Sequence, residues 1–158
     1  MLDVLQLLHD AWFAAALRRA TALYPFVNAC HILAIGMVVG AVGVLDLRLL
    51  GTFRGTPVGA LAPVLTRVAA IGVTTAVLTG FLLFSVQPAA YAKNPAFLLK
   101  VGLVALGIAN AVLLHRTGAW RSVCAGGQIS GGVKFHAAAS LAIWVSALLA
   151  GRWIAFVD

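Results

Sequence analysis

Long apolar stretches interrupted by short polar ones give this chain its pattern. Residues 24–50, 63–86, 96–115 and 132–156 are each apolar over most of their length, and a bilayer crossing needs about 20 such residues. The stretches are separated by "GTFRGTP", "QPAAYAKNP" and "RTGAWRSVCAGGQISGGVK", which are rich in the Gly, Pro and polar residues that end helices. Ahead of them, residues 3–20 place Leu5, Leu8, Trp12 and Ala16 on one helical face and Asp3, Gln6 and Asp10 on the other. That pattern predicts a helix lying in the membrane interface. In hydrocarbon the backbone must satisfy its own hydrogen bonds, which selects helices for the spans. The predicted fold is all-α and integral to a membrane: a four-transmembrane-helix bundle with an N-terminal interfacial amphipathic helix, one membrane domain over residues 1–158.

Composition agrees with this class. The 158 residues are 63% hydrophobic and 9% charged, with a mean hydropathy of +1.05, whereas soluble domains carry roughly 25% charged residues. The opening "MLDVLQLLHD" lacks the basic start and cleavage site of a secretory signal, so it is read as part of the mature protein. A net charge of +7 in such a chain points to loops against anionic lipid headgroups and not to nucleic acid. With four spans both termini lie on one side, here side one. Six basic residues fall near side two and five near side one. The positive-inside rule then assigns side two to the cytoplasm of a bacterial inner membrane and both termini to the periplasm.

Candidate chemistry comes down to histidines and one lysine. His31 sits near the start of an apolar run, and an ionisable group in a span is kept mainly where a partner, cofactor or cavity receives it. On the third span Lys100 and His115 lie about 60° apart around the helix and about 22 Å apart along it, with Val104, Gly107 and Ala111 between them. On the fourth, His136, Ser140, Ile143 and Ala147 share a face. By depth, His31 matches Lys100 near side one and His136 matches His115 near side two. Paired imidazoles, and more rarely a neutral lysine, are axial ligands of b-type haem, so one or two haems stacked along the bundle are expected.

Each residue also has a plainer reading. The Lys100 stem can reach to headgroups, and His31 can bond a backbone carbonyl or Asn28. His115 suits a helix C-terminus, and His136 lies close to the interface. His9 is expected to be solvated, and Asp46 to be a charge clamp with Arg54 or Arg67. Gly36, Gly40 and Gly43 form a small-residue stripe suited either to a second subunit or to packing on span two. Cys30 and Cys124 lie on opposite sides, too far apart for a disulfide. There is no CxxC, no Glu, no P-loop, no HExxH and no nucleophile elbow, so any redox enzymology must come from a cofactor.

"CHILAIGMVVGAVGVLDLRLLG" followed by "NPAFLLKVGLVALGIANAVLLHR" resembles small bacterial four-span proteins related to the copper-resistance D (CopD) proteins and to the HemJ-type protoporphyrinogen oxidases. The resemblance covers spans one to three. It implies haem b bound by the first-span histidine and the third-span lysine, here His31 and Lys100. The function expected is that of a membrane b-type cytochrome that transfers electrons. Its metal ligands would be His31, Lys100, His115 and His136, and a quinol or periplasmic redox protein would be its partner, within a homo-oligomer or larger membrane complex. The alternatives are a cofactor-free membrane subunit, a copper-handling protein using Cys30, and a HemJ-like porphyrinogen oxidase.

Overall fold

The computed structural model describes residues 2–156, all of whose regular structure is helical. Its elements are α1 (Leu2–Asp10), α2 (Trp12–Arg19), α3 (Leu23–Leu50), α4 (Val58–Val86), α5 (Pro88–Lys93), α6 (Pro95–Arg116), α7 (Gly118–Cys124) and α8 (Gly131–Trp153), followed by a 3-10 turn over Ile154–Phe156. Four helices, α3, α4, α6 and α8 with its 3-10 turn, are long and apolar enough to cross a membrane. At most 33% of the most apolar stretch of any of them is buried within the protein. Large apolar side chains such as Ile32, Leu33, Val64 and Leu99 point outward, as lipid-facing residues should. The chain is thus read as a multi-pass membrane protein built as an all-α four-span bundle.

Local sequence explains the helix ends. Gly51 closes α3 in the left-handed region at φ 114°. The Thr52 N–H reaches back to the Leu47 carbonyl and the Gly51 N–H to that of Arg48, the Schellman pairing that a glycine at this position permits. Asn94, Thr117 and Ser130 cap α6, α7 and α8, each side chain accepting from the backbone N–H three residues on. Pro95 occupies the first turn of α6, where its missing N–H costs nothing.

Two boundaries differ from expectation. The second span starts at Val58, directly after Pro57, and carries Pro63 inside the helix. The interfacial segment is two helices, broken at Ala11, whose ψ of 143° is extended. The break lets the segment turn a corner, so that α1 packs on α5 while α2 packs on α4. Ala14 and Leu17 form the buried face of α2, whereas Trp12 is 82% exposed. His9 is not left to solvent: its Nδ1–H donates to the Val86 carbonyl at 3.1 Å, and Arg18 donates to the His9 carbonyl at 2.8 Å. These bonds fasten the corner to the end of α4.

The spans pack in the order α4, α3, α8, α6. Among the described residues, no Cα of α6 comes within 8 Å of one in α3 or α4. A seam therefore separates the second and third spans although they are consecutive in the chain. The apolar core is concentrated at side two, where Leu45, Leu49, Val58, Ala62, Leu114, Trp120, Val123, Val133 and Ala137 cluster. There α7 bridges α4 and α6.

Glycine packing separates the helix contacts. A β-carbon on Gly72 would lie 2.9 Å from Val38 Cγ2 and 3.0 Å from the Ala34 carbonyl oxygen, so Gly72 is where α4 closes on α3. Gly36, Gly40 and Gly43 have nothing within 4 Å of such a carbon, so their stripe does not serve the packing of α3 on α4. Accordingly Gly72→Ala is expected to cost about 1–3 kcal/mol through overpacking. Gly36→Ala should be neutral or stabilising by up to about 1 kcal/mol. Unfolding of lipid-reconstituted variants by denaturing detergent measures both, and equal costs would show that α3 and α4 do not close at Gly72.

Candidate functional site

Three polar side chains from three spans meet near side one. His31 Nδ1 lies 2.9 Å from Thr79 Oγ1, and His31 Nε2 lies 3.4 Å from Lys100 Nζ. The hydroxyl of Thr79 has a single proton, which it gives to the Thr75 carbonyl at 2.6 Å. Thr79 Oγ1 can therefore only accept from the imidazole, which fixes the proton of neutral His31 on Nδ1. Nε2 is left as a bare lone pair directed at the lysine. A ring oriented through one nitrogen with the lone pair of the other turned toward a second donor is an arrangement a metal-ligating histidine can use.

Glycines make room on both sides of the pair. A β-carbon on Gly80 would lie 3.0 Å from His31 Cε1, and one on Gly151 would lie 3.3 Å from Cδ and Cε of Lys100. The lysine stem thus runs along Gly151 of α8 and crosses to α3, a helix whose backbone its own helix does not approach. This inward course replaces the reach toward headgroups that its position near the surface allowed. Its partner histidine meets Thr79 and the backbone of Ala76, and not Asn28.

Just above, aromatic rings bridge the seam. Phe84 of α4 stacks on Phe97 of α6 with centroids 5.4 Å apart and planes 10° apart, and Tyr91 of α5 lies 5.3 Å from Phe97. Burial, with Tyr24 beside it, pushes the Tyr91 phenol up, so this ring is neutral at ordinary pH. Phe97 is one turn before Lys100 on α6, so the aromatic cluster lies on the side-one side of the His31–Lys100 contact.

The other two predicted ligands are held separately. His115 is exposed, donates from Nδ1 to the Ala111 carbonyl at 2.6 Å and lies against Trp120 with centroids 4.6 Å apart. His136 donates from Nδ1 to Asn110 Oδ1 at 2.7 Å, and the Asn110 amide donates back to the His136 carbonyl at 3.0 Å. On the small-residue stripe between Lys100 and His115, a β-carbon on Gly107 would lie 2.9 Å from Cε2 of Trp144, so α8 packs its indole against α6 there.

Asp46 makes no clamp with Arg54 or Arg67. Arg54 donates to the Gly51 carbonyl at 2.9 Å, Arg67 is exposed, and Asp46 Oδ2 has no hydrogen-bond partner among the described residues. The four residues from Asp46 to Leu49 lie at the end of α3 where that helix enters the apolar side-two core, which keeps the carboxyl away from both arginines. Burial pushes the Cys124 thiol up, away from the thiolate that soft metals prefer. No group of three or more His, Cys, Asp or Glu side chains suited to a metal ion occurs among the described residues.

Sequence reasoning placed His31 and Lys100 at one depth but missed Thr79 and Asn110, which orient the half-buried histidines His31 and His136. For Thr79 the available signal was a pair of threonines one turn apart, Thr75 and Thr79, in an otherwise apolar span. No protein-family model matches the chain, and no curated protein or solved structure is significantly similar to it.

Replacing Thr79 with Val removes the acceptor that fixes the ring. The variant is expected to lose the single Nδ1–H tautomer of His31 and about 0.5–1.5 kcal/mol of stability, while Thr79→Ser keeps both. Nitrogen-15 NMR of labelled imidazoles in lipid reads the tautomer directly, and an unchanged His31 spectrum in Thr79→Val would refute the assignment.

Proposed function

We propose that this protein is a membrane b-type cytochrome in which His31 and Lys100 hold one haem b near side one. The observation that carries this reading is the direct approach of His31 Nε2 to Lys100 Nζ at 3.4 Å, two nitrogen donors from spans that otherwise stay apart. The donor set fits the group. Imidazole and neutral lysine nitrogens are both known haem-iron donors, and His31 and Lys100 would be the residues that hold it. Haem, when bound, contributes one-electron chemistry at its iron.

The protein's own residues do the rest. Thr79 anchors the Nδ1 proton of His31, which keeps Nε2 available and raises its basicity. Lys100 would supply its amine nitrogen as the second ligand. Gly80 and Gly151 let the His31 and Lys100 side chains lie close against the neighbouring spans, and the Phe84–Phe97–Tyr91 cluster lies toward side one. His115 and His136, each bonded elsewhere, stay outside this site, so one haem per chain is the expected number.

We take the membrane to be a bacterial inner membrane with both termini periplasmic, as the excess of basic residues at side two suggests. The site then lies near the periplasmic surface, where quinol or a periplasmic redox protein supplies its electron. The resemblance to CopD and HemJ-type proteins gives the same assignment of His31 and Lys100. A second reading is favoured by the same short separation: the two side chains hydrogen-bond directly and lock span one to span three in a cofactor-free subunit.

A reduced-minus-oxidised visible spectrum with a pyridine haemochrome assay on haem-replete, detergent-purified protein separates the two. The expected result is one b-type haem per chain, lost in His31→Ala and Lys100→Ala and retained in His115→Ala and His136→Ala. A colourless wild-type protein would overturn the cytochrome reading and favour the lock, with both His31→Ala and Lys100→Ala lowering stability alone.

A further inference from the structure

A second polar site lies at the other end of span one and plays no part in the haem reading. Asp46 is about 22 Å along α3 from His31, near the side-two end of the helix. It is only 4% exposed, and Ser140 of α8 is 7% exposed. The Ser140 hydroxyl faces the carboxyl, while Asp46 Oδ2 is buried with no hydrogen-bond partner among the described residues.

The elements packed against α3 carry few charged or titratable groups: Arg67 on α4, Lys134, His136 and Arg152 on α8, and Arg18 and Arg19 on α2 at the opposite end. Of their side chains, the one that reaches Asp46 is the hydroxyl of Ser140. Arg48, on the same helix, donates instead to the Thr56 carbonyl at 2.6 Å. A carboxylate in an apolar setting is costly without a cation or several donors. A neutral carboxylic acid brings its own O–H and needs far less. A hydroxyl can donate to a carboxylate and accept from a carboxylic acid, so Ser140 can partner either form. The unpaired oxygen is a buried acceptor without a partner among the described residues, and a proton on it would remove the charge.

We infer that Asp46 is an intramembrane proton-binding site that exchanges protons with water on side two, with Ser140 as its hydrogen-bond partner. The reaction is a single transfer: a proton leaves hydronium or water at side two and an O–H bond forms on the Asp46 carboxylate, which becomes neutral. The reverse step restores the carboxylate. No electron moves, and the site is independent of any haem at His31.

Infrared spectroscopy of lipid-reconstituted protein tests this. The chain has 4 acidic residues, all Asp, so one carboxyl band is readily assigned by difference. At neutral pH the wild type should show a protonated-carboxyl band that Asp46→Asn lacks. That band should move when the sample is transferred to D2O, and should give way to a carboxylate band as the pH is raised. Ser140→Ala, which leaves Asp46 in place, should shift both the band and the pH at which it disappears. This second variant identifies the group even if Asp46→Asn fails to fold. The proposal is overturned if no protonated band is altered in either variant. It is equally overturned if the band neither moves in D2O nor responds to alkali, since Asp46 would then be a permanently neutral structural group.

Discussion

Hydrocarbon offers no hydrogen-bond partner, so every polar atom within a span must find one in the protein or go without. In this bundle that constraint decides which helices are joined by more than apolar contact. His31 is tied to Thr79 and meets Lys100; His136 and Asn110 exchange two hydrogen bonds; Asp46 faces Ser140. Each pairing joins different spans. Thr66, Thr79 and Ser85 instead spend their protons on carbonyls of their own helix. In the case of Thr79 that local bond determines the polarity of everything beyond it, because an oxygen whose proton is already committed can only accept.

The same economy explains why the two ends of the bundle differ. At side two, α7 and the apolar cluster around Leu49, Trp120 and Val133 hold the spans together. At side one the close packing is between α3 and α4, while the third span is joined across the seam by stacked aromatic rings and by a lysine reaching over a glycine. Side chains, not backbone proximity, connect the third span to the first.

Much of this architecture was legible in the sequence because it is set by composition and local chemistry. The apolar stretches fix the spans, and Gly51, Asn94, Thr117 and Ser130 mark their ends through hydrogen bonds within a few residues. The break at Ala11 carries no Gly or Pro to announce it, since it arises from the docking of two short helices on different elements. The shared depth of His31 and Lys100 followed from counting residues along helices. The pairing of His136 with Asn110 and the filling of Gly107 by Trp144 depend on how each helix is rotated and on which spans are neighbours. No residue count contains that information. Asp46 was misread for the same reason: its arginines are near in sequence, but its surroundings are set by α8.

The seam between the second and third spans has a consequence for how the bundle is shut. Where two helices pack, their backbones form the wall; where they do not, the wall is side chains alone. Toward side one that wall is the stacked pair of Phe84 and Phe97, so its tightness rests on two rings and not on the helices that carry them.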